Sequence, residues 1–386
     1  MTITSRNENF WEQRKLGNLF NERKEKSTKG ELLSVTLSNG VTKFSDLNKK
    51  DNSNIKSGNY KVVKKNDIPY NSMRMWQGAS GVSSYDGIVS PAYTVLVPNR
   101  NSNSNFYAVL FKKKSILNLF TRFSQGLTSD TWNLKYPILK DIIVPFTNLE
   151  EQKRIFKIFN VINNLLALYD RKLKLLSQVK KYFLDNLFAE KEYPNLRFKG
   201  FTDAWEQRKL GTITDTYSGG TPQVSVKDYY SNNEIPFIRS SDIHKNKTEL
   251  YISSKGLENS SAKLVSKGHI LYALYGATSG EVDISKIDGA INQAVLCINA
   301  HNDLNYFLML FLSKNKDKIV RKYIQGGQGN LSASIIKKIK VFTTSELEET
   351  KISNLVKILS DIITLYENKQ QHLTEIKKEL LNTMFI

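Results

Sequence analysis

Apolar positions recur at steps of three and four along two long stretches of this chain, the signature of helices with one buried stripe. In the first stretch Ile155, Ile158, Ile162, Leu165, Tyr169, Leu173, Leu176, Phe183 and Leu187 keep this spacing with one skip, and neither Pro nor Gly falls between Leu149 and Pro194. In the second, Ile352, Leu355, Leu359, Ile362, Tyr366, Leu373, Ile376 and Leu380 do the same. A helix of about 38 residues is roughly 57 Å long. No globular body is wide enough to bury a stripe of that length, so the simplest partner for each helix is the other, as a coiled coil. The remaining segments, Met1 to Asn148 and Phe201 to Phe342, alternate short β-branched and aromatic runs (YTVLV, AVLCI, HILYALY) with Gly, Asn and Ser punctuation. They predict mixed α/β bodies. The predicted order is a body over 1–148, a helix over 149–191, a linker over 192–200, a body over 201–342 and a helix over 343–386.

The chain is also written twice. WEQRKLG stands at Trp11 to Gly17 and again at Trp205 to Gly211, an offset of 194 residues. LEEQK from Leu149 is echoed by LEETK from Leu347, and LYDRKLKLLSQVKKYFLDNLF from Leu168 by LYENKQQHLTEIKKELLNTMF from Leu365, the last pair at an offset of 197. Repeated frames around dissimilar contents suggest two modules doing one job on different targets. Trp11, Leu16, Trp205 and Leu210 are expected in cores.

Charge decides what the target is. The chain of 386 residues carries a formal net charge of +19. Residues 1–148 hold 22 basic and 11 acidic side chains and residues 192–342 hold 20 and 14, so the excess sits on the bodies, while 149–191 holds 9 and 5 and 343–386 holds 5 and 7. A membrane-surface helix would place the charge on the helices. No stretch approaches a spanning length and no signal-peptide core opens the chain. Nucleic acid contacted by the bodies fits instead. The lone Cys297 permits no internal disulfide and suits a reducing cytoplasm, as a small buried hydrophobe.

Base reading is expected from polar loops. These are SMRMWQGASG, with Arg74, Trp76 and Gln77; RFSQGLTSDTWN, with Arg122 and Gln125; SGGTP, with Gly219, Gly220 and Thr221; IRSSD, with Arg239; YGATSG, with Tyr275; and QGGQGNLS, with Gln325, Gln328 and Asn330. Arg matches the paired acceptors of guanine, and Gln or Asn the acceptor and donor of adenine. Most such residues in any loop are merely solvated. Catalytic patterns are missing: no GxxxxGK[ST] phosphate loop, and four histidines (His244, His269, His301, His372) without ligand spacing, read as surface or satisfied core residues. NDIPY at Asn66 to Tyr70 is close to the catalytic loop of amino-group DNA methyltransferases, but no FxGxG loop accompanies it; an ordinary turn is the plainer reading.

The layout resembles the specificity subunit of bacterial type I restriction-modification systems. PNLRFKGFTDAWEQRKLG, GGTP, IPFIRSSDI, QGGQGNLS and the helical segments opening LEEQKRI and LEETKIS carry the resemblance, which spans essentially the whole chain. The first body lacks a GGTP equivalent and the PxLRF lead-in. The resemblance implies two target recognition domains in a pseudo-two-fold repeat, each reading half of a split site in double-stranded DNA, joined by two long antiparallel helices. It implies a non-catalytic chain that binds no cofactor itself. S-adenosylmethionine would reside on two modification subunits, and ATP and Mg2+ on restriction subunits where present. Leu165, Tyr169, Leu176, Leu359, Tyr366 and Leu373 are the candidate docking positions on the helices. Rival readings are a nonspecific architectural DNA-binding coiled-coil protein and a DNA adenine methyltransferase.

Overall fold

The computed structural model describes residues 11–37, 39–47, 50, 55, 58–302, 304–323 and 330–385. The chain divides into two compact units, one formed by residues 1–171 with 367–386 and the other by 172–366. Two helices dominate: a central helix, Leu149–Leu187, and a C-terminal helix, Glu346–Thr383. Each gives one end to each unit.

In the first unit the opening strand Glu12–Lys15 pairs antiparallel with Ile143–Phe146, the strand that leads into the central helix. The body between them holds two three-stranded sheets, one ordered Phe20–Glu22, Tyr93–Pro98, Ile68–Asn71 and the other Lys26–Ser27, Tyr60–Val63, Gly87–Val89, with a hairpin Leu33–Thr36 and Gly40–Lys43. Helices Ser104–Leu110 and Lys114–Phe123 follow. The core runs through Leu16, Phe20, Tyr70, Phe106, Tyr107, Phe120 and Phe159, and Phe385 from the far end of the chain completes it. Phe385 packs 5.2 Å from Phe106, 5.9 Å from Phe159 and 6.2 Å from Trp11 between ring centroids. Lys113 donates to the Phe385 carbonyl and so ties down that last turn.

The second unit repeats this scheme with different sheets. Glu206–Lys209 pairs antiparallel with Lys340–Thr343. A four-stranded antiparallel sheet runs Thr214–Ser218, Val295–Ala300, Ile270–Ala273, Val282–Ile284, and a mixed one runs Tyr251–Ile252, Tyr230–Ile238, Gly289–Ile291, Lys263–Val265. Here Phe188, just past the end of the central helix, stacks on Phe307 at 4.9 Å, with Trp205 at 6.1 Å from the same ring. Phe188 and Phe385 stand 197 residues apart. Cys297 is a free, fully buried thiol in the strand Val295–Ala300, and burial pushes its pKa up to about 11.

The repeated WEQRKLG has a physical cause. Leu16 and Leu210 are fully buried and donate their amides to the carbonyls of Ile142 and Ile339 at 2.9 and 2.8 Å. A Cβ on Gly17 would lie 3.0 Å from Lys140 Cβ, and one on Gly211 would lie 2.8 Å from Lys337 Cβ. Each motif thus clasps the start of a body to the strand feeding a long helix, at a separation only glycine allows.

Three expectations need correction. Ile158 and Leu165, placed by spacing on the buried stripe, are 42 % and 37 % exposed, whereas Phe159 is fully buried and Leu166 half-buried. Two apolar series lie side by side on the central helix, and periodicity alone did not say which faces inward. The echo of LEEQK in LEETK is off by one: Ile155 and Ile352, both buried, and the paired strands before them match at 197. In that register Gln152 corresponds to Glu349. Last, the helix ends at Leu187 and not at 191, and Leu187, Phe188 and Ala189 turn into the core of the second unit.

Gln152, fully buried, donates to the Thr147 and Asn101 carbonyls and accepts from the Asn103 amide. At the matching place Glu349 accepts from the Thr344 amide at 2.9 Å, and burial pushes its pKa up to about 7. Its neighbour Glu348, 1 % exposed, is paired by both oxygens with Arg197 at 2.7 and 2.8 Å and accepts from the Thr344 hydroxyl. The PNLRF lead-in therefore secures the first turn of the C-terminal helix, through the ion pair of Arg197 with the buried Glu348.

Two stability tests follow. Phe385→Ala removes a fully buried ring from the core of the first unit and costs about 3 to 5 kcal/mol; hydrogen exchange should accelerate in residues 11–171 and leave 214–342 protected. For Glu349 the folded pKa lies above the ordinary carboxylate value. Its contribution is complete below about pH 4.5 and is lost as pH rises through 7, at most about 3 kcal/mol. Glu349→Gln, which restores the amide of the first copy, should flatten the pH dependence of urea unfolding between pH 5 and 8 and raise stability at pH 8. A variant with unchanged pH dependence would contradict the assignment.

Candidate nucleic-acid interface

In the first unit the two predicted reading loops come together. Arg74 precedes the short turn Met75–Gln77, which Gly78 closes at φ 87°. Helix Lys114–Phe123, carrying Arg122 in its last turn, packs on that turn. Trp76 meets Trp132 edge to face at 5.2 Å, and its Nε1 donates to the Met73 carbonyl at 3.1 Å. Gln125 and Asn133 exchange both backbone hydrogen bonds, at 2.9 and 2.7 Å, closing a nine-residue loop. Arg74, Arg122 and Gln125 are exposed; Trp76 and Gln77 are half-buried. Lys112 holds the base of the first loop by donating to the carbonyls of Gly78 and Ser80. Burial, aided by the nearby Lys377 charge, pushes its pKa down to about 8.

In the second unit the candidates gather about a turn that the sequence did not single out, Asn292 to Ala294. Gly219 donates its amide to Asn292 O at 3.3 Å, Thr221 Oγ1 donates to Gln293 Oε1 at 2.7 Å, and Leu274 donates to Ala294 O at 2.9 Å, bringing Tyr275 alongside. Leu331 donates to Leu274 O at 3.0 Å, which sets the exposed Asn330 near the same place. Gln293 itself is exposed. The two glycines of GGTP are a packing device: a Cβ on Gly219 would lie 1.8 Å from Ile291 O and one on Gly220 1.9 Å from Ser261 Oγ. Arg239 follows the strand that pairs with Ile291, and its Nε lies 3.3 Å from the buried Asp242 carboxylate, so part of its donor set is already engaged. Gln325 and Gln328 lie outside the described residues.

His244 was read as a surface residue, and the structure adds a network around it. Its Nδ1 lies 3.1 Å from Asp283 and its Nε2 3.0 Å from Glu281, while Lys286 donates to its carbonyl and pairs with Asp283, and Lys316 pairs with Glu281. NDIPY is a turn into a strand. Asn66 sits at φ 72°, Asp67 is paired with Arg23 at 2.7 Å, and Tyr70 is fully buried with its hydroxyl donated to Leu134 O. Leu176, Leu359, Tyr366 and Leu373 are half-buried, as is Tyr169, while Leu165 is exposed. No helix among the described residues is long and apolar enough to cross a membrane.

The chain matches the family of type I restriction modification DNA specificity domains twice, over residues 8–178 and 202–378. It belongs to that family. As a type I restriction-modification specificity subunit, it has relatives at low identity. A Methanocaldococcus jannaschii protein, the specificity subunit of the type I restriction enzyme MjaVIII, is 21 % identical over 345 residues, covering 84 % of this chain and 79 % of the relative. A Haemophilus influenzae protein, the specificity subunit of the enzyme HindI, is 29 % identical over 190 residues, covering 46 % and 40 %. The crystal structure of the S subunit of a type I restriction-modification system from M. genitalium superposes with a TM-score of 0.66 at 16 % identity, covering all of this chain and 98 % of that one. The two family matches fall on the two copies of the repeat, so the duplication is one of specificity domains.

Proposed function

We propose that each body of this specificity subunit reads one half of a bipartite site in double-stranded DNA, and that the two long helices pair antiparallel as a coiled coil that sets the distance between half-sites. The observation that carries this reading is the contrast within the repeat. The clasp and the aromatic plug recur, while the loops hung from them differ in length, chemistry and anchoring. A frame held constant around changing loops is the arrangement that base readout needs. Arg74, Trp76, Gln77, Arg122 and Gln125 are the readers proposed for the first half-site, and Thr221, Arg239, Tyr275, Gln293, Gln325, Gln328 and Asn330 for the second. Gly219 and Gly220 bring the backbone close rather than touching bases.

The helices support the ruler role in detail. Phe159, Ile162, Leu166, Tyr169, Leu173 and Leu176 follow a heptad seam, as do Leu359, Ile363, Tyr366, Gln370, Leu373 and Lys377. Lys172 and Tyr366 meet within the second unit, with hydroxyl and ammonium 2.5 Å apart. Within the first unit Leu166, Ala167 and Asp170 line one cavity with Glu367, Gln370 and Thr374. The chain is proposed to be non-catalytic and to work in the cytoplasm. Two modification subunits would bring S-adenosylmethionine, and restriction subunits ATP and Mg2+. They would dock by exposed positions such as Leu165.

Exchanging residues 201–342 for the matching body of a relative should change one half of the methylated site and leave the other intact, as read by methylome sequencing. Concerted change of both halves would refute independent modules, and methylation without sequence preference would favour an architectural role. Inserting four residues near Leu173 with a matched insertion near Gln370 should lengthen the spacer by roughly 6 Å, or one to two base pairs at about 3.4 Å each. Unchanged spacing in a folded variant would remove the helices as ruler.

A further inference from the structure

The first body carries an apolar surface that base readout by polar side chains leaves unexplained. Leu127 is fully exposed, and Phe123 and Met73 are each 41 % exposed. They lie around the half-buried Trp76–Trp132 pair. A floppy loop exposes such residues by accident, whereas this loop is held at four levels. The Gln125–Asn133 backbone pair closes its neck. Inside the neck Thr131 donates its amide and its hydroxyl to Thr128 O, both at 3.0 Å, and Thr128 donates back to Thr131 Oγ1 at 3.2 Å. Gly126 stands at φ 141°, where a Cβ would lie 2.7 Å from the Thr131 carbonyl, so the tight turn requires glycine. Below the neck, Leu134 donates to Ser72 O and accepts from the Tyr70 hydroxyl, which roots the loop in the core.

A leucine held out to solvent on a stiff support marks an interaction surface. Its setting names the occupant. Arg74 and Arg122 are exposed beside it, in a body of net +11, so the partner that satisfies both apolar tip and cationic shoulders is a polyanion with an apolar interior: a stacked nucleic-acid duplex.

We infer that Leu127 is a wedge that enters the duplex at a base step of the first half-site, backed by Trp132 and Trp76, next to the bases that Arg74 and Arg122 read. This rests on the proposed reading of DNA by the first body and adds a distortion to it. Flexible pyrimidine–purine steps unstack most easily, so the wedge contributes specificity without a base-edge hydrogen bond. The device belongs to one half only. Between Gln-Gly and the buried leucine, the first copy has Leu127 to Asn133, and the second has only Gly327 to Asn330, with no apolar side chain.

The test uses the full chain assembled with its modification subunits, without methyl donor, on duplexes carrying 2-aminopurine in turn at each position of the first half-site other than the methylated adenine. Wild type should raise the fluorescence at one step. Leu127→Asn should abolish that rise and weaken binding about tenfold, the loss expected for one inserted apolar side chain, while Leu127→Met retains both. Because Leu127 is fully exposed, the variants lose no core packing, and an unchanged melting curve verifies it. If Leu127→Asn binds and unstacks like wild type, the wedge is refuted and DNA reading stands. If it loses modification subunits while the DNA response persists, the patch is a protein-docking surface and the inference is overturned. If wild type shows no preference for the bipartite duplex, the underlying reading itself fails.

Discussion

Neither unit closes its own core with consecutive chain. Phe385 must reach Trp11, Phe106 and Phe159, and Phe188 must reach Trp205 and Phe307, before either body is sealed. Each plug arrives on the end of a helix some 57 Å long. The length and phase of the helices are therefore constrained at both ends: one end leaves a body through the clasped strand pair, and the other must deliver an aromatic ring into a preformed slot. A shift of one residue rotates the ring about 100° off target. This constraint explains why sequence similarity between the copies is concentrated in WEQRKLG and in the later part of the helices, and why the helices and the strands that feed them match at one offset, 197.

With the frame held by backbone bonds, a glycine-tight clasp and an aromatic plug, the loops are released from any part in stability. In the second unit they are pinned to Asn292–Ala294 by three hydrogen bonds, and in the first to a tryptophan pair and a lysine that grips two carbonyls. The anchors differ because nothing in the frame prescribes them. Loop and anchor can be replaced together without disturbing the apolar core that lies beneath.

Much of this was legible in the chain. The duplication, the two long helices, the mixed bodies and the burial of Leu16, Leu210, Trp205 and Cys297 follow from identity, period and composition. The buried face of the central helix was not, because that helix has two adjacent apolar series and only packing selects between Ile158 and Phe159. The role of Gly219 and Gly220 was not either: glycine in a polar loop reads equally well as flexibility or as close approach, and the 1.8 Å separation from Ile291 O decides for the latter. Gln293 escaped notice because it sits in a short turn between two apolar strands, and what marks it out is its bond to Thr221, 72 residues earlier in the chain.

Within the shared frame, the copies differ where a carboxylate is buried. Gln152 satisfies three backbone groups as a neutral amide; Glu349 occupies the same place as a carboxyl whose ionisation burial opposes. Next to it, Glu348 is paired through both oxygens with Arg197. Arg197 comes from the lead-in that precedes only the second WEQRKLG, so there the lead-in is fastened to the helix by an ion pair, while in the first copy the amide of Gln152 bonds the helix to Asn101 and Asn103 of the body. Pairs of this kind contribute little net stability over apolar packing, yet removing one partner is costly. Both partners lie outside residues 201–342, so exchange of that body leaves the pair in place, whereas a change in the lead-in or in the first turn of the helix would leave Arg197 or Glu348 without its partner.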